Sequence, residues 1–201
     1  MSGDLIVPDA AQGLVLFAHG SGSGRHSPRN RYVAGALNEG GLGTLLFDLL
    51  TPEEEADRAN VFDIGLLAGR LLERTAWARE QAEAACLPIG YFGASTGAAA
   101  ALWAAATPGN DVAAIVSRGG RPDLAGPRLA AVRAPTLLIV GGRDPVVMEL
   151  NEEAQGRLVV ESRITVVPGA THLFEEPGAL DAVAGHAEDW FRVHFARAHP
   201  M

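Results

Sequence analysis

The sequence predicts an α/β domain, a mostly parallel twisted sheet sandwiched by helices. Three observations carry this. Short apolar runs recur at 13–18, 43–48, 89–92, 112–117, 136–140 and 164–167. Helical patterns lie between them. The runs are continuously apolar and not alternating, so both faces of the sheet must be covered. Strand and helix in alternation imply parallel neighbours joined by right-handed crossovers.

Only residues 4–8 precede the first long run, which predicts a shortened N-terminal edge. Residues 61–84 place Ile64, Leu67 and Leu71 on one helical face, with Asp63, Arg70, Glu73 and Arg74 largely elsewhere. Residues 98–106 are apolar all round, which suits a helix buried against the middle of the sheet. The connection 118–133 is too short for a lid domain, so the site should be open. Residues 180–196 put Leu180, Val183, Ala187 and Trp190 on one stripe. Without repeats, linkers or a change in composition, residues 1–201 read as a single domain.

Composition narrows the function. The chain is 48% hydrophobic and 20% charged, as soluble globular domains are. Its net charge is −8, and every basic residue is arginine. An acidic chain without a basic stripe is unsuited to nucleic acid or to an anionic membrane surface. The start, MSGDLIVPDA, lacks the basic and apolar segments of a secretory signal, and no run approaches the ~20 apolar residues that span a bilayer. The expected location is cytoplasmic. Cys86 is the one cysteine, which excludes an intrachain disulfide and a cysteine-rich metal site. Its apolar neighbours predict a buried, inert thiol. Homo-oligomerisation is left open.

In such sheets ligands bind beyond the carboxyl ends of the strands. The run at 89–92 is followed by Gly93-Ala94-Ser95-Thr96-Gly97 and then a helix. A G-x-S-x-G turn between strand and helix needs small residues at Gly93 and Gly97 and pushes the serine hydroxyl above the sheet. The helix opening at Ser95 aims free N–H groups at the same point. A serine hydroxyl needs a base, and His172 lies in the loop after the last run. Among the other histidines, His19 reads as structural and His26 as part of a mobile loop. His186 and His194 read as solvated or packed on the last helix, and His199 as part of a frayed terminus. The imidazole in turn needs a carboxylate. Asp144, in Gly141-Gly142-Arg143-Asp144-Pro145 after the run at 136–140, meets that need; it also reads as a helix cap. The expected oxyanion donors are the backbone N–H groups of Ser21 and Thr96. Gly20, Gly22, Arg25 and Arg118 are candidate substrate contacts, with Arg121 and Arg143 also bordering the strand ends.

The stretch Gly20-Ser21-Gly22-Ser23-Gly24, with Asp48 ending the next run, admits a dinucleotide-binding reading. Its spacing is G-x-G-x-G, and Pro28 stands where the first helix should open, so that reading is set aside.

With these residues assembled, the chain resembles the dienelactone hydrolase-like branch of the α/β-hydrolases over about 14–195. The marks are LFAHGSGSGRHSPRNRYVA, LLFDLLTPEEE, PIGYFGASTGAAAAL, SRGGRPDLAG, PTLLIVGGRDPVV and VPGATHLFEEPGAL. The resemblance implies an α/β-hydrolase fold, Ser95 as nucleophile with Asp144 and His172, oxyanion amides at Ser21 and Thr96, and neither metal nor organic cofactor. Two departures stand out. True dienelactone hydrolases carry cysteine at the elbow, and relatives have further N-terminal strands. The expected activity is cleavage of a small ester or lactone through an acyl-enzyme. Acyl transfer by the same residues and a non-catalytic binding module are the alternatives.

Overall fold

The computed structural model describes residues 3–198. Its strands are β1 (Gly3–Ile6), β2 (Leu14–Ala18), β3 (Gly43–Phe47), β4 (Ile89–Ala94), β5 (Ala114–Arg118), β6 (Thr136–Gly141) and β7 (Ser162–Val167). They form one sheet in the order β1-β3-β2-β4-β5-β6-β7. Every pairing is parallel except that of β1 with β3. The short early edge is therefore a four-residue antiparallel strand. All residues of β2, β3, β4, β5 and β6 are buried, as continuous apolar runs require. The edge strand β7 is only partly covered.

The helices are α1 (Pro28–Glu39), α2 (Pro52–Glu55), α3 (Arg58–Val61), α4 (Ile64–Glu80), α5 (Thr96–Ala105), α6 (Pro145–Gln155) and α7 (Ala179–Ala198), with a 3₁₀ segment at Pro122–Ala131. Two apolar cores follow from side chains alternating across each strand. Leu16, Phe47, Tyr91 and Ile115 pack with Leu67 and Leu71 of α4, with Ala99–Leu102 of α5 and with Ala154 of α6. Phe17, Phe92, Val116 and Ile139 pack with Val33 and Leu37 of α1 and with Val183, Trp190 and Phe191 of α7.

Several expectations need correction. The helix expected at 61–84 is divided, because the Asp63 carboxylate accepts the Leu66 N–H and starts α4 afresh. Pro28 does not obstruct a helix. It occupies the first position of α1, where a missing N–H costs nothing, behind the Ser27 cap. Cys86 is exposed, because the chain between α4 and β4 runs over the surface as turns. His19 has the structural role expected, since its Nε2 accepts the Leu49 N–H at 2.9 Å and its Nδ1 meets the Gly20 carbonyl at 3.0 Å. His186 is exposed and His194 buried. His199 lies outside the described residues. None of the described helices is long and apolar enough to cross a membrane.

Candidate active site

β4 delivers Ser95 into a backbone conformation that side chains rarely adopt, φ 51° and ψ −121°. Such strain costs about 1–3 kcal/mol and persists only where the surroundings enforce it. Here they do. The Ser95 N–H reaches the Arg118 carbonyl at 3.4 Å, and the Ser95 carbonyl accepts from Arg121 N at 3.0 Å and Ala98 N at 3.1 Å. A Cβ on Gly93 would lie 2.4 Å from Ala98 Cα, and one on Gly97 only 2.1 Å from the Ala18 carbonyl oxygen. Both small residues of the motif are thus demanded by contact. On the far side Ser95 abuts the β2–α1 loop, where a Cβ on Gly20 would come within 3.0 Å of Ser95 Cβ.

His172 follows β7, and its Nδ1 lies 2.7 Å from Asp144 Oδ2. With the proton on Nδ1, the Nε2 lone pair is left free to accept one. Asp144 also caps α6, its other oxygen accepting the Val147 N–H at 3.4 Å. One carboxylate thus makes both the pairing with His172 and the cap of α6. The two loops are laced by Gly142 N to the Val167 carbonyl and Arg143 N to the Ala170 carbonyl, each 2.9 Å.

Ser95 and His172 line one cavity of about 250 Å³ at the carboxyl ends of the strands, with Gly20, Ser21, Arg29, Arg118 and Leu173 among its walls. Among the described residues no hydrogen bond joins the Ser95 hydroxyl to the imidazole; such bonds commonly tighten only when substrate binds. A larger hollow of about 600 Å³ lies against 85–89 and 111–113, at the opposite ends of the strands, away from these groups.

Charge in the cavity is unbalanced. Arg118 is 8% exposed, yet its Nη1 has no partner and its Nη2 reaches only the neutral Asn30 Oδ1 at 3.3 Å. Burial, and then the neighbouring Arg29, bring its pKa down to about 10. Arg29 pairs with Glu175 at 3.0 Å on the rim.

Other expected contacts fall elsewhere. Arg25 is held by Asp48 through both its backbone and its guanidinium, and is not among the residues lining the cavity. Burial raises the Asp48 carboxyl, but the Arg25 hydrogen bonds outweigh it and leave the pKa below its ordinary value. Gly22, at φ 66°, also lies outside the lining. Arg121 pairs with Asp123 at 2.8 Å, and Arg143 is exposed. The Ser21 N–H donates to Thr96 Oγ1 at 3.0 Å and is not free as expected. Thr96 N heads α5, where helix geometry leaves an N–H without an intrahelical acceptor. Sequence reasoning missed Arg29 and Leu173; the first turn of α1 was the available signal for Arg29, but only folding brings it over the strand ends.

No protein-family model matches the chain. It is 63% identical over 200 residues to proteins of two strains of Mycobacterium tuberculosis, each provisionally named a phosphoribosyl transferase, and covers 45% of their length. The chain thus spans about half the length of the curated relatives it matches. The dienelactone hydrolase of Anabaena variabilis is 56% identical, with 96% of this chain and 91% of that one covered at a TM-score of 0.91. Est1E of Butyrivibrio proteoclasticus shares the fold at 16% identity, with 96% and 94% covered and a TM-score of 0.78. Fold, elbow sequence and an identity of this size over nearly the whole of a solved relative agree: the chain belongs to the dienelactone hydrolase-like family of the α/β-hydrolases.

Proposed function

We propose that the chain is a serine hydrolase of the carboxylesterase or lactonase type. The observation that carries this is the 2.7 Å pairing of His172 with Asp144 beside a strained Ser95 in one cavity. In this reading the Ser95 hydroxyl attacks an ester or lactone carbonyl while His172 Nε2 takes its proton. Asp144 fixes the tautomer and stabilises the imidazolium. The N–H at the head of α5 holds the oxyanion. His172 then protonates the leaving alkoxide, and water releases the acid by the reverse steps. A cavity of about 250 Å³ favours short acyl chains and small lactones. The Arg118 guanidinium, short of a counterion, favours substrates bearing a negative charge. The name of the mycobacterial relatives belongs to chains more than twice as long, and we assign the transferase chemistry to the length unmatched here.

A fluorophosphonate probe read by intact mass tests the nucleophile. One adduct is expected on the native chain and none on Ser95→Ala; adducts on both, or on neither, overturn the assignment. Among esters, those with a carboxylate should turn over faster than neutral isosteres. Arg118→Met should cut that preference about tenfold or more while leaving the melting temperature unchanged or higher, since it removes an unpaired buried charge.

A further inference from the structure

The Ser21 amide is committed within the protein. A two-amide oxyanion site needs the N–H groups of Ser21 and Thr96 to converge on one oxygen, yet the Ser21 N–H is directed at the Thr96 hydroxyl oxygen, 3.0 Å away and 75 residues distant in sequence. Thr96 is 3% exposed, so water does not compete for that contact. The oxygen of a hydroxyl that accepts one hydrogen bond still carries its own proton. Among the described residues that oxygen is seen only accepting, with no hydrogen bond from the hydroxyl to an acceptor. A buried hydroxyl proton without a partner is costly unless a ligand supplies one. The position is equally telling. Thr96 directly follows Ser95, and Ser21 directly follows Gly20, the residue against which the Ser95 side chain packs. The hydroxyl therefore bridges the two segments that flank the reacting serine.

We propose that the Thr96 side chain is itself an oxyanion donor: its hydroxyl accepts the Ser21 N–H and presents its proton to the substrate oxygen. Thr96 then contributes two donors, N–H and O–H, and the Ser21 amide acts one step behind, polarising the hydroxyl. Hydrogen bonds in such a chain strengthen one another, and the effect grows as charge develops on the terminal acceptor. Residue 96 thereby becomes a catalytic residue for the reaction proposed above, on which this inference rests. A hydroxyl is required there, and the methyl of threonine fixes its rotamer among few choices.

Thr96→Val keeps the shape and removes the hydroxyl, whereas Thr96→Ser keeps the hydroxyl. The valine variant should lose about 10²-fold in kcat with KM changed less than about threefold, because the lost interaction belongs to the transition state. Its affinity for a trifluoromethyl ketone, whose serine adduct carries an oxyanion, should fall in the same proportion. The serine variant should stay within about threefold of the native chain on both measures. Equal loss in both variants would overturn the proposal, since packing alone would then explain it. A valine variant as fast as the native chain or faster would overturn it too, showing that the freed Ser21 amide is the true donor and the hydroxyl a latch. Fluorophosphonate labelling of Ser95 in the same variants separates the outcomes. Native labelling with a null effect at Thr96 leaves the hydrolase reading intact, and absence of native labelling sinks both.

Discussion

At the scale of the residue, Asp144 shows two demands met by one side chain. One oxygen holds His172 and the other caps α6. Substitutions separate these roles. Asp144→Asn keeps a capping oxygen but favours the wrong imidazole tautomer, so kcat should fall about 10⁴-fold with little change in melting temperature. Asp144→Ala should lose as much activity and also about 1 kcal/mol of stability, read by denaturant titration. A stable, active asparagine variant would show that the carboxylate serves the helix alone. Ser95, Asp144 and His172 could be read from the sequence because each follows an apolar run, and strand ends are where such a sheet gathers its chemistry. Arg29 could not, since it lies 66 residues before Ser95 and 89 before Arg118 in the chain. The commitment of the Ser21 amide to Thr96 was equally hidden, because a donor's direction depends on the loop it sits in.

At the scale of the element, α5 is the most constrained helix. Nine of its residues are buried, from Thr96 to Ala105, and its alanines bring it close to the sheet behind the serine. Ala100 is fully buried, so Ala100→Leu should destabilise by about 1–3 kcal/mol and lower activity by tilting the elbow. A chain of native stability carrying that leucine would contradict the packing described. The apolar character of α5 was plain in the sequence, because a helix with no polar face has nowhere to sit but inside. The segment 48–63 was not. It forms α2 and α3, each of four residues with no buried residue, held by local devices such as the Thr51–Glu54 capping box. Periodicity cannot reveal elements of one turn. The division between α3 and α4 depends on one capping carboxylate, Asp63, whose direction no hydrophobic pattern predicts.

At the scale of the molecule, acid should weaken the fold in two stages. His194 of α7 has its pKa lowered from 6.5, by burial first and by Arg197 and Arg163 in the same direction, against the opposing pull of Glu161. The folded state therefore disfavours the proton that the unfolded chain takes up. Stability is full above the unfolded value and declines as pH falls through the folded one. Asp48 has its pKa lowered too, its Arg25 hydrogen bonds outweighing burial, and Glu54 and Glu176 are lowered mainly by hydrogen bonds. Their contribution is present above about pH 4 and lost below it. Thermal melts across pH should show both declines, and His194→Phe should remove the first and keep the second. A single decline, unchanged by that substitution, would show that His194 takes up its proton equally in both states.

The sequence alone determined the layered α/β architecture, the buried central strands, the elbow at Ser95 and the partners Asp144 and His172. All of these follow from short-range pattern: apolar runs, turn chemistry and the position of polar residues just past each run. Only the tertiary structure decided which arginines face the cavity, where Cys86 lies, and which atom the Ser21 amide addresses. Those outcomes depend on which distant segments touch, and contact between segments is fixed by packing in three dimensions, to which local periodicity is blind.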